Sequence, residues 1–148
     1  MEYSKTGLQF TEQFESCRTS AYSDIGGVPT IGWGTTIYPN GSPVKLGDTC
    51  TIVEADNWLM WKVQQIVDKL NRLLLNPNSL TQSQFDALVD FTYNVGLFNF
   101  QHSTLLRLIN AGNLQAAANE FEKWDHVNGK EVAGLLRRRL EEKQEFQS

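Results

Sequence analysis

Between residues 51 and 76, Leu59, Val63, Ile66, Leu70 and Leu73 alternate spacings of four and three, which predicts one buried face of a long helix. Thr51 with Glu54 supplies a T-x-x-E capping box at its start, and Asn76-Pro77-Asn78 stops it. A second box, Thr81 with Gln84, opens a helix carrying Phe85, Leu88, Val89 and Thr92, ended by Asn94-Val95-Gly96. Further helices are expected over Ser103–Ala111, Leu114–Trp124 and Val132–Phe146. At the other end, Ser4 caps a short helix through about Glu15, with Leu8 and Phe14 as apolar contacts.

From Ser20 to about Tyr38 the period changes. Tyr22, Ile25, Val28, Thr30, Ile31, Trp33 and Ile37 are β-type residues broken by Gly26, Gly27, Pro29, Gly32 and Gly34, which predicts an antiparallel hairpin region. The turn residues of Tyr38–Pro43 end it. The expected class is α+β, mostly helical, with a small N-terminal sheet. No internal repeat occurs, and no linker is long enough to separate independent domains.

Composition narrows the picture. A chain of 148 residues, 41% hydrophobic and 20% charged, is expected to form one globular domain rather than a disordered segment. The formal charge of -4 repels phosphate backbones and anionic lipid, so neither nucleic acid nor a membrane surface is an expected partner. The longest aliphatic run is Leu73-Leu74-Leu75, and no apolar stretch of signal-peptide length opens the chain; a soluble protein without signal peptide or membrane anchor is expected. Cys17 and Cys50 form at most one bridge, and free thiols are the expectation. His102 and His126 stand apart from each other and from the cysteines, so no metal is expected. Among the glycines, Trp33 stands where a phosphate loop needs lysine, and Ile37 replaces the third dinucleotide-binding glycine. Arg137-Arg138-Arg139 is flanked by Glu131, Glu141, Glu142 and Glu145, which reads as a charge-balanced helix; contact of one arginine with anionic substrate groups stays open.

The candidate chemistry lies in residues 14–35. Glu15 and Asp24, nine apart, fall on opposite sides of a continuous helix, so they converge only if the chain changes structure between them. With Ile25–Pro29 as hairpin loop, Asp24 faces Thr30 directly, their Cβ atoms about 4.5–5.5 Å apart. A carboxylate and a hydroxyl so placed hold one water, and Glu15 approaches from the preceding helix end. A carboxylic acid on one side and a carboxylate with bound water on the other is the arrangement that glycosidic cleavage requires.

The segment reads E-x-x-R-x-x-A-Y-x-D-x-x-G-x-x-T-I-G-x-G-T from Glu15 to Thr35 and resembles the phage-type lysozymes, the endolysin muramidases of glycoside hydrolase family 24. The likeness continues through Leu80–Leu88, Asn94-Val95-Gly96, Ser103–Leu106, Trp124 and Gly134–Arg139. It implies a single lysozyme-like catalytic domain over residues 1–148. Its β lobe spans about 19–50; a long helix joins it to a helical lobe of about 51–148 plus the N-terminal helix. It implies hydrolysis of the β-1,4 bond between N-acetylmuramic acid and N-acetylglucosamine without a cofactor. Glu15 is then the general acid, while Asp24 and Thr30 position the attacking water, an inverting outcome with carboxyl groups about 6.5–9.5 Å apart. Ser16 departs from the glycine that often follows the family's glutamate.

Asn94 is read either as a cleft residue bonding a sugar acetamido group or as a helix stop. Tyr22, Trp33 and Arg18 are read as supports. The expected partner is bacterial peptidoglycan, met as a monomer. The expected location is the host cytoplasm until a separate holin-type pore releases the protein to the wall. The alternative is a lysozyme-like module that binds the wall without cutting it.

Overall fold

The Thr51 N–H donates to Glu54 Oε1 at 3.0 Å and the Glu54 N–H to Thr51 Oγ1 at 3.1 Å. This reciprocal cap starts a helix, α2, over Ile52–Leu73. The computed structural model describes residues 1–127 and 129–148. They divide into two compact units, one of residues 1–10 with 65–148 and the other of residues 11–64. No helix among the described residues is long and apolar enough to cross a membrane.

The first unit is helical. It holds the start of α1 (Lys5–Phe14), then α3 (Gln82–Val95), α4 (Leu97–Gln101), α5 (Thr104–Asn110), α6 (Leu114–Ala118) and α7 (Ala133–Gln147). Ser4 caps α1 as expected, its Oγ accepting from the Gly7 N–H at 2.9 Å. The same hydroxyl donates to the buried Asp86, and the Ser4 N–H adds a 3.1 Å bond to Asp86 Oδ1, tying the N-terminus to α3. Thr81 and Gln84 make the predicted capping box. The core centres on Phe91, whose ring meets Phe100, Phe121 and Trp124 edge-on at centroid distances of 6.4, 5.4 and 5.8 Å. Each of the fully buried rings, Phe91, Phe100 and Phe121, contributes about 1.5–3 kcal/mol.

Three helical expectations change. The helix expected over 114–124 stops at Ala118, and a 3-10 turn follows over Phe121–Lys123. Asn119 is a weak helix former, and the tighter turn carries Phe121, fully buried, against Phe91 and Phe146. The buried face of α2 runs through Leu59, Val63, Ile66 and Leu70 as predicted, but the next buried leucine is Leu74, one residue past the helix, and Leu73 is only half-buried. Residues 97–101, unassigned from sequence, form α4, too short to show a periodic pattern.

A two-stranded hairpin, β3 (His126–Val127) with β4 (Lys130–Glu131), also went unassigned, its strands being too short to show an alternating pattern.

The second unit carries β1 (Arg18–Ser23) and β2 (Pro29–Gly32), an antiparallel pair with a bulge between Arg18 and Tyr22. Residues 48–50 lie along the other edge of β1: the Ala21 N–H donates to the Asp48 carbonyl and the Cys50 N–H to the Thr19 carbonyl, each at 2.9 Å. Ile31, Val44, Ala55, Leu59 and Val63 form the apolar centre of this unit. Gly32 ends β2 at φ +64, where a Cβ would lie 3.0 Å from the Ala55 Cβ. Gly32→Ala is therefore expected to lower stability by at least about 1–2 kcal/mol, from the left-handed backbone alone, read as a fall in the urea midpoint.

Candidate active site

The hairpin register differs from the sequence expectation. Tyr22 pairs with Thr30 and Ser23 with Pro29, so Asp24 stands opposite Val28 and not opposite Thr30. The loop shrinks from five residues to three, Ile25-Gly26-Gly27. Two interactions close it early. The Gly27 N–H donates to the Asp24 carbonyl at 3.0 Å with Gly27 at φ +79, and the Val28 N–H donates to Asp24 Oδ1 at 2.8 Å. Asp24 and Thr30 still share one face of the ribbon, now as diagonal neighbours on the order of 7–8 Å apart at the backbone.

The two groups differ in what they offer a water. Thr30, 4% exposed, donates its hydroxyl proton to the Val28 carbonyl at 2.9 Å, so its remaining capacity is to accept. The exposed Asp24 keeps Oδ2 beyond the oxygen bonded to Val28.

Glu15 is half-buried, one residue past the end of α1, with its N–H bonded to the Thr11 carbonyl at 3.3 Å. Tyr22 marks the common ground of these groups. Its phenol is pushed up first by burial, then by the Glu15 carboxylate, and by Asp24 as well, while Arg18 pulls it down. The Arg18 guanidinium lies over the Tyr22 ring, 4.4 Å from its centroid. Both carboxylates and the arginine thus act on one ring. Trp33 donates its Nε1–H to Asp56 Oδ1 at 2.7 Å, at the start of α2.

Cys17 and Cys50 are free and half-buried. Burial pushes both thiols up, Asp56 adding to the effect at Cys17, and Cys17 with Glu54 at Cys50.

Asn94 belongs to the helical unit. Its side chain is exposed on the last turn of α3, and its Oδ1 accepts from Arg139 Nη2 at 2.7 Å. The helix stop is made by the nearby glycine: the Gly96 N–H bonds the Thr92 carbonyl at φ +96.

Arg139 is fully buried and also donates Nη2 to Glu142 Oε1 at 3.0 Å. Its Nε faces Glu142 Oε2 at 2.8 Å, an ion contact too bent to count as a hydrogen bond. Arg138, 4% exposed, grips Asp90 through Nε and Nη2 at 3.0 and 2.8 Å. Burial pulls the Arg139 guanidinium below its ordinary value and pushes the Glu142 carboxyl up. Two of the three arginines are thus interior ion-pair partners, and only Arg137, bonded to Glu141 at 3.0 Å, lies on the surface as expected of a charge-balanced helix. Sequence spacing missed this cluster because Asp90 and Arg138 are 48 residues apart.

A small hairpin unit bearing a glutamate, an aspartate and a threonine, together with a helical unit, defines the lysozyme-like α+β class. A family model described as phage lysozyme matches residues 12–142, and the chain belongs to that family. It is 44% identical over 99% of its length to the endolysin of Bacillus phage B103, spanning about half, 54%, of that relative. Among solved structures, an endolysin from Escherichia coli O157:H7 phage FAHEc1 superposes with TM-score 0.85 at 38% identity, covering 99% of this chain and 93% of that one. The muramidase domain of SpmX from Asticaccaulis excentricus gives 0.83 at 34%, covering 99% and 98%.

Proposed function

We propose that the chain is a peptidoglycan-hydrolysing endolysin. It cleaves the β-1,4 bond between N-acetylmuramic acid and N-acetylglucosamine, and the two compact units make up one lysozyme-like catalytic domain. Glu15 is the general acid that protonates the leaving oxygen. Asp24 and Thr30 hold the attacking water on the opposite face of the sugar.

One observation carries this reading: the Thr30 hydroxyl commits its proton to the Val28 carbonyl. It therefore meets a water as an acceptor, and Asp24 does the same. A water giving one proton to each keeps a lone pair for the anomeric carbon as the glycosidic bond breaks. The Asp24 carboxylate then takes the proton this water releases, while Glu15 has given its own to the departing sugar oxygen. The chemistry needs no cofactor.

The reading extends to biology: the protein lyses a bacterial host, acts as a monomer, and reaches the wall from the cytoplasm through a separate holin-type pore. The family match and the endolysin relatives support the lysis of a bacterial host.

Mass spectrometry of peptidoglycan digests is the test. The expected products carry new reducing-end N-acetylmuramic acid, with no anhydro sugar. Anhydro ends would indicate a lytic transferase instead. Wall binding without any new end would favour the non-catalytic module.

A further inference from the structure

A carboxamide free to flip offers a ligand either its oxygen or its two N–H donors. At Asn94 that freedom is removed from within. A guanidinium has donors only, so the atom that Arg139 Nη2 touches at 2.7 Å is the amide oxygen. Arg139 is itself fully buried, bonded to Glu142 at 3.0 Å, with its guanidinium 5.0 Å from the Phe91 ring centroid. Asn94 is exposed, and among the described residues no acceptor meets its Nδ2.

We propose that Arg139 is a positioning residue that pins the Asn94 oxygen inward and presents its amide donors outward, a contact built for the acetamido carbonyl of an N-acetylated sugar. The inference rests on the muramidase reading above and deepens it by naming the substrate group recognised on the helical unit. The Asn94 oxygen is drawn inward by its bond from the buried Arg139, whereas a substrate carbonyl oxygen finds the two amide donors on the outer side. The selectivity therefore depends on the orientation, and the orientation depends on Arg139.

The test compares native peptidoglycan with the same material chemically N-deacetylated, following both reducing-end release and sedimentation binding. The wild type is expected to prefer the acetylated wall by about fivefold to tenfold in KM and in binding, the range of one net hydrogen bond, with kcat little changed. Asn94→Ala and Asn94→Asp, at an exposed position, are expected to abolish the preference for the acetylated wall in KM and in binding. Arg139→Lys retains the charge and loses the planar fork; where circular dichroism shows it folded, the preference is expected to shrink while kcat holds.

An undiminished preference in the Asn94 variants, or in a folded Arg139→Lys protein, overturns the proposal. A wild type that releases no reducing ends refutes the muramidase reading separately, since the binding arm still reports whether Asn94 discriminates the acetyl group.

Discussion

Glu15→Gln is expected to leave the protein folded and to lower peptidoglycan cleavage by about 10²–10⁴-fold, the range for losing a positioned general acid. Glutamine keeps the shape of the side chain and its capacity to hydrogen bond, but has no carboxylic proton to give to a departing sugar oxygen. Glu15 sits one residue beyond α1, outside the buried apolar set, so the exchange removes no core contact. The measurement is a turbidity assay on outer-membrane-stripped cells, with a thermal melt of the same sample. Activity near wild type at an unchanged melting temperature would remove Glu15 from its role. A collapsed melting temperature would show that Glu15 supports the fold instead.

Asp90→Ala is expected to cost about 3–5 kcal/mol, because it leaves a buried guanidinium without its bidentate partner. Arg138 bonds Asp90 through both Nε and Nη2, and its next carboxylate, Glu142, stands 3.6 Å from Nε. Glu142 is already engaged with Arg139 at 2.8 Å, so it compensates poorly. Urea unfolding reads the loss. A double replacement, Asp90→Leu with Arg138→Met, is expected to recover much of it, since removing both charges leaves neither member of the pair buried without its partner. A single-variant loss below about 1 kcal/mol would contradict the burial described for this pair.

Local signals account for most of the secondary structure. The boxes at Thr51 and Thr81 and the Ser4 cap all form, because each satisfies helix N–H groups within three or four residues and needs nothing from the rest of the chain. The break after Ala118 and the short α4 were not legible in this way. They follow from where Phe121 and Phe100, both fully buried, must pack.

The candidate site divides similarly. The order and spacing of Glu15, Asp24 and Thr30 mark them in the sequence as candidates, and the change from helix to strand between the carboxylates followed from the change of period at about Ser20. The register was not legible there. A shift of two residues keeps Asp24 and Thr30 on the same face, so the pattern of residue types is equally content with either loop; the bond from the Val28 N–H to the Asp24 carboxylate decides it.

Alone, the order of residues determined the class of fold, the helix starts and which groups are proposed for acid, base and water. Tertiary structure decided what each group is bonded to. Thr30 became an acceptor through Val28, Arg138 and Arg139 became interior partners of Asp90 and Glu142, and Asn94 was turned to show its donors. The physical reason is range: capping and turn chemistry act over a few residues, whereas the state of a polar group in the interior depends on the partner that folding delivers from far along the chain.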